Sequence, residues 1–236
     1  SHLGIIYSLS AATKGFKVYA FDEDIKIINR LNRGLNIIQE PYVEKFLKIN
    51  LKNKNISFYN NITYLKECDL IFISNDIKTN STGKSNLLKV NKAFSIIKKN
   101  FNDNIPIIIL SQIPPGFIDK IKYPIKNLYY QVETLIFGEA INRANKPERI
   151  IIGMNSQSKS INKYYLKYLK VYKAPILVMD YKSAELTKIS INMFLISSLS
   201  MTNYLSKICE LSGSNWHSIS KALKMDKRIG KYAYLE

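Results

Sequence analysis

Four polar residues, Glu185, Lys188, Asn192 and Asn203, interrupt an otherwise apolar stretch, "SAELTKISINMFLISSLSMTNYLSKICELSG", at spacings of three, four and eleven. On a helix these spacings set Lys188, Asn192 and Asn203 on one broad face. A buried lysine or amide needs a partner. An ammonium and an amide aligned this way can hold an anion or a developing oxyanion, and a hydrogen-bond network between helices satisfies them equally well. The spacing leaves both readings open.

A second group lies near the N-terminus, in "SHLGIIYSLSAATKGFKVYAFDED". Asp22 ends a strand that follows a helix, the place where dinucleotide-binding folds put an acid to accept hydrogen bonds from ribose hydroxyls. An acid there repels a 2′-phosphate and so favours NAD over NADP. In a Gly-x-Gly-x-x-Gly fingerprint Gly4 would be the last glycine and Ser1 would stand at the middle one. A plain helix-to-strand turn uses the same two residues, Gly4 and Asp22. Further on, "SQIPPGF" follows an apolar strand, and two prolines with a glycine make a rigid turn at the sheet edge where doubly wound folds bind ligands. Cys68 and Cys209 are too few for a disulfide framework and read as small core residues. His2 and His217 are far apart and lack nearby ligand pairs, so no metal site is expected.

The elements that must position these residues alternate. A helix from Gly4 to Lys14 closes at Gly15; the strand "KVYAFD" follows, then a helix capped by Asp24 and closed by Gly34, then a helix with Pro41 near its first turn. The strand "ISFYN", the helix "ITYLKEC", the strand "DLIFIS", the helix "LLKVNKAFSIIKKN" and the strand "PIIILS" continue the pattern, with "NLYYQV", "RIIIGM", the helix "INKYYLKYLKVY" and "PILVMD" after them. Short, nearly continuous apolar runs are what strands covered on both faces look like. The expected fold is therefore α/β, a Rossmann-like, doubly wound, mostly parallel sheet. From Ser183 to Gly213 a single uninterrupted helix is expected, long enough to be a strut between domains or subunits. The helix "WHSISKALKM" follows it.

At 236 residues, 46% hydrophobic and 22% charged, the composition is globular. No apolar run is long enough to span a bilayer, which predicts a soluble, cytoplasmic protein without membrane contact. The net charge of +17 comes from lysine spread along the whole chain, without a dense basic block interleaved with aromatics. A small anionic ligand is expected rather than nucleic acid.

Several segments, in order, resemble the UDP-glucose/GDP-mannose dehydrogenase family. "SHLGIIYSLSAATKGFKVYAFDED" is similar to the family's Gly-x-Gly-Tyr-Val-Gly opening and its strand-ending Asp. "LNRGLNIIQEPYVEKFL" is similar to the segment with Asn-x-Gly and Glu-Pro-x-Leu, and "SQIPPGF" stands where the family has Ser-Thr-Val-Pro-x-Gly-Thr. "NKPERIIIG" resembles Asn-Pro-Asp-Arg-Ile-Val-Ile-Gly, "AELTKISINMFLISSLSMTNYLSKICE" the Ala-Glu-x-x-Lys-x-x-x-Asn helix with its later Asn, and "MDKRIG" the Asp-x-Arg-Ile-Gly stretch.

The resemblance implies an NAD-dependent oxidation of the C6 alcohol of a UDP- or GDP-sugar to a carboxylate through a cysteine thiohemiacetal and thioester. It implies Lys188 and Asn192 as the groups that stabilise the oxyanion and Glu133 as the acid that assists proton transfer. Gly4, Asp22, Asp76 and Gln112 would line the cofactor site, and Arg149 would be structural. The helix 183–213 would form the core of a homodimer that takes a nucleotide-sugar substrate. Residues 1–180 would be the NAD-binding domain, with its first strand outside this sequence, and residues 181–236 the start of the helical dimerisation domain.

There are departures. The sequence reaches "KYAYLE" before the family's Gly-Gly-Ser-Cys-Phe-like stretch. Gln112 replaces a threonine, and Asp76 stands near a Thr-Pro pair that approaches the cofactor. "VETLIFGEA" follows Pro-Glu-Phe-Leu-x-Glu-Gly only loosely at Glu133. An acid beside the cofactor means either a different substrate or lost activity, so a non-catalytic relative that binds NAD or a nucleotide sugar as a scaffold or sensor is the alternative.

Overall fold

Helix α1 (His2–Thr13) starts at Ser1, whose hydroxyl accepts from the Gly4 amide at 3.0 Å. It is apolar nearly all round and buries Ile5, Ile6, Leu9, Ala11 and Ala12, so it lies inside the fold. The computed structural model describes residues 1–102, 104–121, 126–158, 160–230 and 233. The Lys231–Glu236 end, apart from Ala233, lies outside the described residues.

After α1 come β1 (Val18–Phe21), α2 (Ile25–Asn32), α3 (Val43–Lys52) and β2 (Ile56–Tyr59). The Asp24 carboxylate caps α2 by accepting from the amides of Lys26 and Ile27. Next are β3 (Ile71–Ile73), α4 (Leu88–Asn100), β4 (Ile107–Ile109) and β5 (Leu128–Gln131). They are followed by α5 (Ala140–Asn145), β6 (Ile150–Met154), α6 (Lys163–Lys170) and β7 (Ile176–Asp180). The expected helix in "ITYLKEC" is a 3₁₀ helix over Ile62–Glu67. None of its residues is buried, so no packing stripe supports a longer α-helix, and the Asn61 side chain tightens the turn by accepting from Thr63.

The strands form two hydrogen-bonded groups. β1 pairs parallel with β2. The other five lie in the order β3-β4-β5-β6-β7, parallel except between β5 and β6. α5 is the connection that lets β6 return antiparallel beside β5. The sheet is thus parallel in the main, as the pattern of apolar runs predicts. Two buried clusters flank it: Ile6, Leu9, Leu31, Leu47 and Phe58 are among the residues of one, and Ile108, Tyr129, Ile152, Tyr165 and Leu169 among those of the other.

α7 (Tyr181–Ser212) is 32 residues long and begins two residues before the expected Ser183. Its start is fixed by Asp180, whose carboxylate accepts from both the amide and the hydroxyl of Ser183. Gly213, at φ 71°, ends it, and Asn215 caps α8 (Trp216–Met225) by accepting from the Ser218 amide. By internal contacts the chain divides into two units, Ser1–Glu185 and Leu186–Glu236. No helix among the described residues is long and apolar enough to cross a membrane.

The outer edge of β2 is closed by a side chain. Asn32 Nδ2 donates to the Phe58 carbonyl at 2.8 Å, and the Phe58 amide donates to Asn32 Oδ1 at 3.2 Å. The amide side chain thereby replaces one step of a neighbouring strand. Replacing Asn32 with alanine leaves both Phe58 groups unmet. Chemical denaturation should show a loss of about 1–3 kcal/mol, while Asn32→Asp, which loses only the donor, should fall between.

Candidate functional site

A cleft of about 960 Å³ opens between β1 and β3 in the first unit. Gly4, Asp22, Ser74 and Asn75 are among the residues that line it, so the N-terminus of α1 and the carboxyl ends of β1 and β3 share one mouth. Doubly wound sheets bind ligands at this edge, at the point where the strand order reverses.

Close approach explains Gly4. A Cβ built there would lie 2.6 Å from Ser1 Oγ and 2.9 Å from Ser74 Oγ, so glycine lets α1 sit this near the end of β3 without displacing either hydroxyl. This is the helix-against-strand role of the last glycine in a dinucleotide fingerprint. Asp22 stands one residue past β1. Its amide donates to the Tyr59 carbonyl at 3.1 Å and one carboxylate oxygen accepts from the Asp24 amide at 3.0 Å, which orients the side chain at the strand's end.

Asp76 meets the same helix from the other side. Its carboxylate accepts from the His2 amide at 2.8 Å and from the Leu3 amide at 3.5 Å. These are first-turn amides, the groups that helix N-termini offer to phosphates. The structure therefore brings Gly4 and Asp22 to the cleft, and sets Asp76, itself not among the lining residues, on the first-turn amides of the same helix.

Gln112 is exposed in the turn after β4 and is not among the residues lining the cleft. That turn is rigid: the Phe117 amide donates to the Pro114 carbonyl at 3.1 Å, with Pro115 and Gly116 (φ 75°) at its corners. A residue for which the spacing gave no specific role holds it. Glu185, buried to 1% exposure, accepts from the Gly116 amide at 2.6 Å and the Ile118 amide at 3.0 Å. The Ala-Glu step at the head of the long helix was the available signal, but only tertiary structure shows what the acid reaches.

Glu133 is buried after β5, where its carboxylate accepts from the Leu135 amide. The hydroxyls of Tyr7 and Tyr130 are pushed far above the ordinary tyrosine range, chiefly by burial, and further by the charge of Glu133 at Tyr7 and of Glu185 and then Glu133 at Tyr130. Glu133 thus stands in a buried cluster with two neutral phenols. Lys188 and Asn192 lie on α7 in the second unit, four residues apart on one face. Cys68 is half-buried, and burial together with Asp69 and Glu67 raises its thiol, which keeps it protonated and a poor nucleophile. Cys209 is buried on α7.

Another unforeseen contact fixes the loops beside the mouth. Glu40 accepts from His2 Nε2 at 3.1 Å and from the Gly138 amide, and the His2 ring rests against Phe137 with centroids 5.1 Å apart.

Comparison with known proteins accords with this geometry. Residues 1–174 match the UDP-glucose/GDP-mannose dehydrogenase family, NAD binding domain, and residues 182–236 match the central domain of the same family. A UDP-glucose 6-dehydrogenase of Rickettsia bellii is 28% identical over 97% of this chain, which covers 55% of the relative. The UDP-glucose dehydrogenase structure from Pyrobaculum islandicum superposes with a TM-score of 0.84 at 25% identity, over 98% of this chain and 56% of that one. A GDP-mannose dehydrogenase of Pseudomonas aeruginosa gives the same TM-score at 18% identity, over 100% of this chain and 58% of the other, a likeness of fold. The chain spans about half the length of the curated UDP-glucose 6-dehydrogenases it matches.

Loss of the Glu185 clamp leaves two amides of the post-β4 turn without a charged acceptor. Glu185→Ala is expected to cost about 3 kcal/mol in urea unfolding. Glu185→Gln, which keeps one acceptor and sets an amide donor against the second N–H, should recover less than half of that.

Proposed function

Because the chain belongs to the UDP-glucose/GDP-mannose dehydrogenase family, we propose that it is the cofactor-binding and central part of an NAD-dependent enzyme oxidising the C6 alcohol of a UDP- or GDP-sugar to a carboxylate. The observation that carries this reading is the convergence of Gly4 and Asp22 on the mouth of the cleft, at the α1 N-terminus. The residues fit the dinucleotide. Gly4 lets the helix end come close, the first-turn amides suit a pyrophosphate, and Asp22 suits the ribose hydroxyls. Bound there, NAD supplies the hydride acceptor.

In this reading residues 1–180 form the NAD-binding domain, and residues 181–236 begin the helical domain that carries catalysis and assembly. Lys188 and Asn192 hold the oxygen that gains negative charge as C6 is oxidised, by charge and by amide donation. Glu133 moves the proton, and its buried position beside Tyr7 and Tyr130 keeps that path out of bulk water. Gln112 sits on the turn clamped by Glu185, outside the lining of the cleft. The reaction belongs in the cytoplasm, where NAD and nucleotide sugars meet.

The reading also includes a homodimer through helix 183–213. Its support is the apolar surface of α7 within the second unit: Met193, Phe194, Ile196, Tyr204 and Leu211 are all exposed in the single chain. An Ile196→Asp, Tyr204→Asp double variant should sediment as a monomer where the parent chain sediments as a dimer. A parent chain that is monomeric at micromolar concentration removes this part.

One observation favours the second reading, a non-catalytic relative that binds its ligand weakly as a scaffold or sensor. Asp76 presents a negative charge to the amides that a pyrophosphate would take. Calorimetric titration with NAD decides between weak and absent binding. Asp22→Ala should weaken NAD about tenfold and narrow the preference over NADP, whereas Asp76→Asn should tighten NAD by roughly three- to tenfold through removal of the competing charge. No heat with NAD for either the parent or the Asp76→Asn chain would sink the cofactor reading, and turnover of UDP-glucose or GDP-mannose by the full-length protein would sink the scaffold one.

A further inference from the structure

Gln131 carries an inference about the phenols around Glu133. Its side chain is buried at the end of β5, so both ends of its amide need partners. The fully buried Tyr165 hydroxyl donates to Gln131 Oε1 at 2.8 Å, and this contact fixes which way the amide is turned. The Gln131 side chain also hydrogen-bonds the Tyr7 hydroxyl on α1. With Oε1 turned to Tyr165, the donor in that second bond is Nε2 and the Tyr7 hydroxyl accepts. The bond favours the phenolate, as a donor must, against the upward push of burial. A hydroxyl that accepts from Gln131 still has its own proton to place.

The groups around Tyr7 narrow the choice of acceptor. Tyr172 accepts from Ser10 Oγ at 3.4 Å and donates to the Tyr168 hydroxyl at 3.0 Å, so it is engaged in a chain of its own. Arg143 and Arg149 share a small cavity of about 20 Å³ with Tyr7 and Gln131, but they are donors, and both reach Glu148. Glu133 is the carboxylate whose charge acts on Tyr7. The Val132 amide donates to the Ile151 carbonyl at 3.0 Å, so extended pairing continues past Gln131. Glu133, two residues on, therefore emerges on the side of the strand that Gln131 faces. Tyr130 lies one residue before Gln131, on the opposite side, and feels Glu185 more than Glu133.

We propose that Tyr7 is a positioning residue for Glu133: its hydroxyl, oriented by Gln131, donates to the Glu133 carboxylate and holds it in the rotamer from which it moves the substrate's proton. The role rests on the reading of Glu133 given above. The Leu135 amide and the Tyr7 hydroxyl then grip the carboxylate from two sides. A carboxylate has about four acceptor sites, so two donors orient it without filling it. Three elements contribute to the chain of donors: α6 through Tyr165, β5 through Gln131 and α1 through Tyr7. The packing of α1 is thereby coupled to the direction of one carboxylate.

Two measurements test this. Infrared difference spectra of residues 1–236 locate the Glu133 carboxyl band by its loss in Glu133→Gln. Tyr7→Phe should shift that band, and Gln131→Leu, which leaves the Tyr7 hydroxyl in place but unoriented, should shift it less. Tyr129→Phe removes another phenol of the same region, one that accepts from the Asn162 amide, and should leave the band where it is. In the full-length protein Tyr7→Phe should lower kcat by about ten- to a hundredfold. KM for the nucleotide sugar should stay within about twofold, the split expected when only the transition state loses an interaction. A band unmoved in Tyr7→Phe, or in Gln131→Leu should the first variant not fold, overturns the proposal whatever the activity. A shifted band with full kcat overturns it too, since the contact then positions nothing. A shifted band in a full-length parent that turns over neither UDP-glucose nor GDP-mannose sinks the reading of Glu133, and the positioning role with it, while the contact stands.

Discussion

Burial of α1 is the constraint on which the first unit depends. Ile5, Ile6, Leu9 and Ala12 belong to the cluster shared with α2, α3, β2 and α5, while Ala11 belongs to the cluster under β4, β5, β6 and α6. One short helix therefore joins two cores whose strands are not hydrogen-bonded to each other. An apolar helix without a polar face has no solvent-tolerant side, and its buried Ser10 hydroxyl donates to the Ala144 carbonyl at 3.0 Å. Everything at the mouth of the cleft follows from where this helix ends: Gly4 because the end is crowded, and Asp76 because its amides need an acceptor.

Carboxylates perform the same local task in three places. Asp76 meets the amides of α1, Glu185 those of the turn after β4, and Glu40 the amide of Gly138. Each is an acid in a chain with net charge +17, and each satisfies backbone donors rather than lysines. The surface ion pairs, such as Lys92 with Glu23, are exposed and contribute little by comparison. The positive excess is spread along the chain, where it suits anionic ligands, while the buried Glu40 and Glu185 organise loops and the exposed Asp76 meets a helix end.

α7 belongs to both units. Its first turn, through Glu185, is part of the first unit's hydrogen bonding, and Lys188 and Asn192 follow within two turns in the second. Within the second unit Lys188 and Asn192, four residues apart, share one face of the helix.

The sequence by itself determined the element order, the parallel character of the sheet, the long helix and the family, because apolar periodicity and short motifs are local properties of the chain. Gly4 and Asp22 were legible as a pair for the same reason. The sequence also placed Lys188 and Asn192 on one helix face, but it could not say what Glu185 reaches across sixty-seven residues of chain. Only the tertiary structure decided that Asp76 lies on the α1 amides, that Gln112 stays outside the cleft lining, that β6 turns back antiparallel, and that β1 and β3 stand apart. Those outcomes depend on which peptide groups find partners between distant segments, and hydrogen-bond pairing at long range has no periodicity to read.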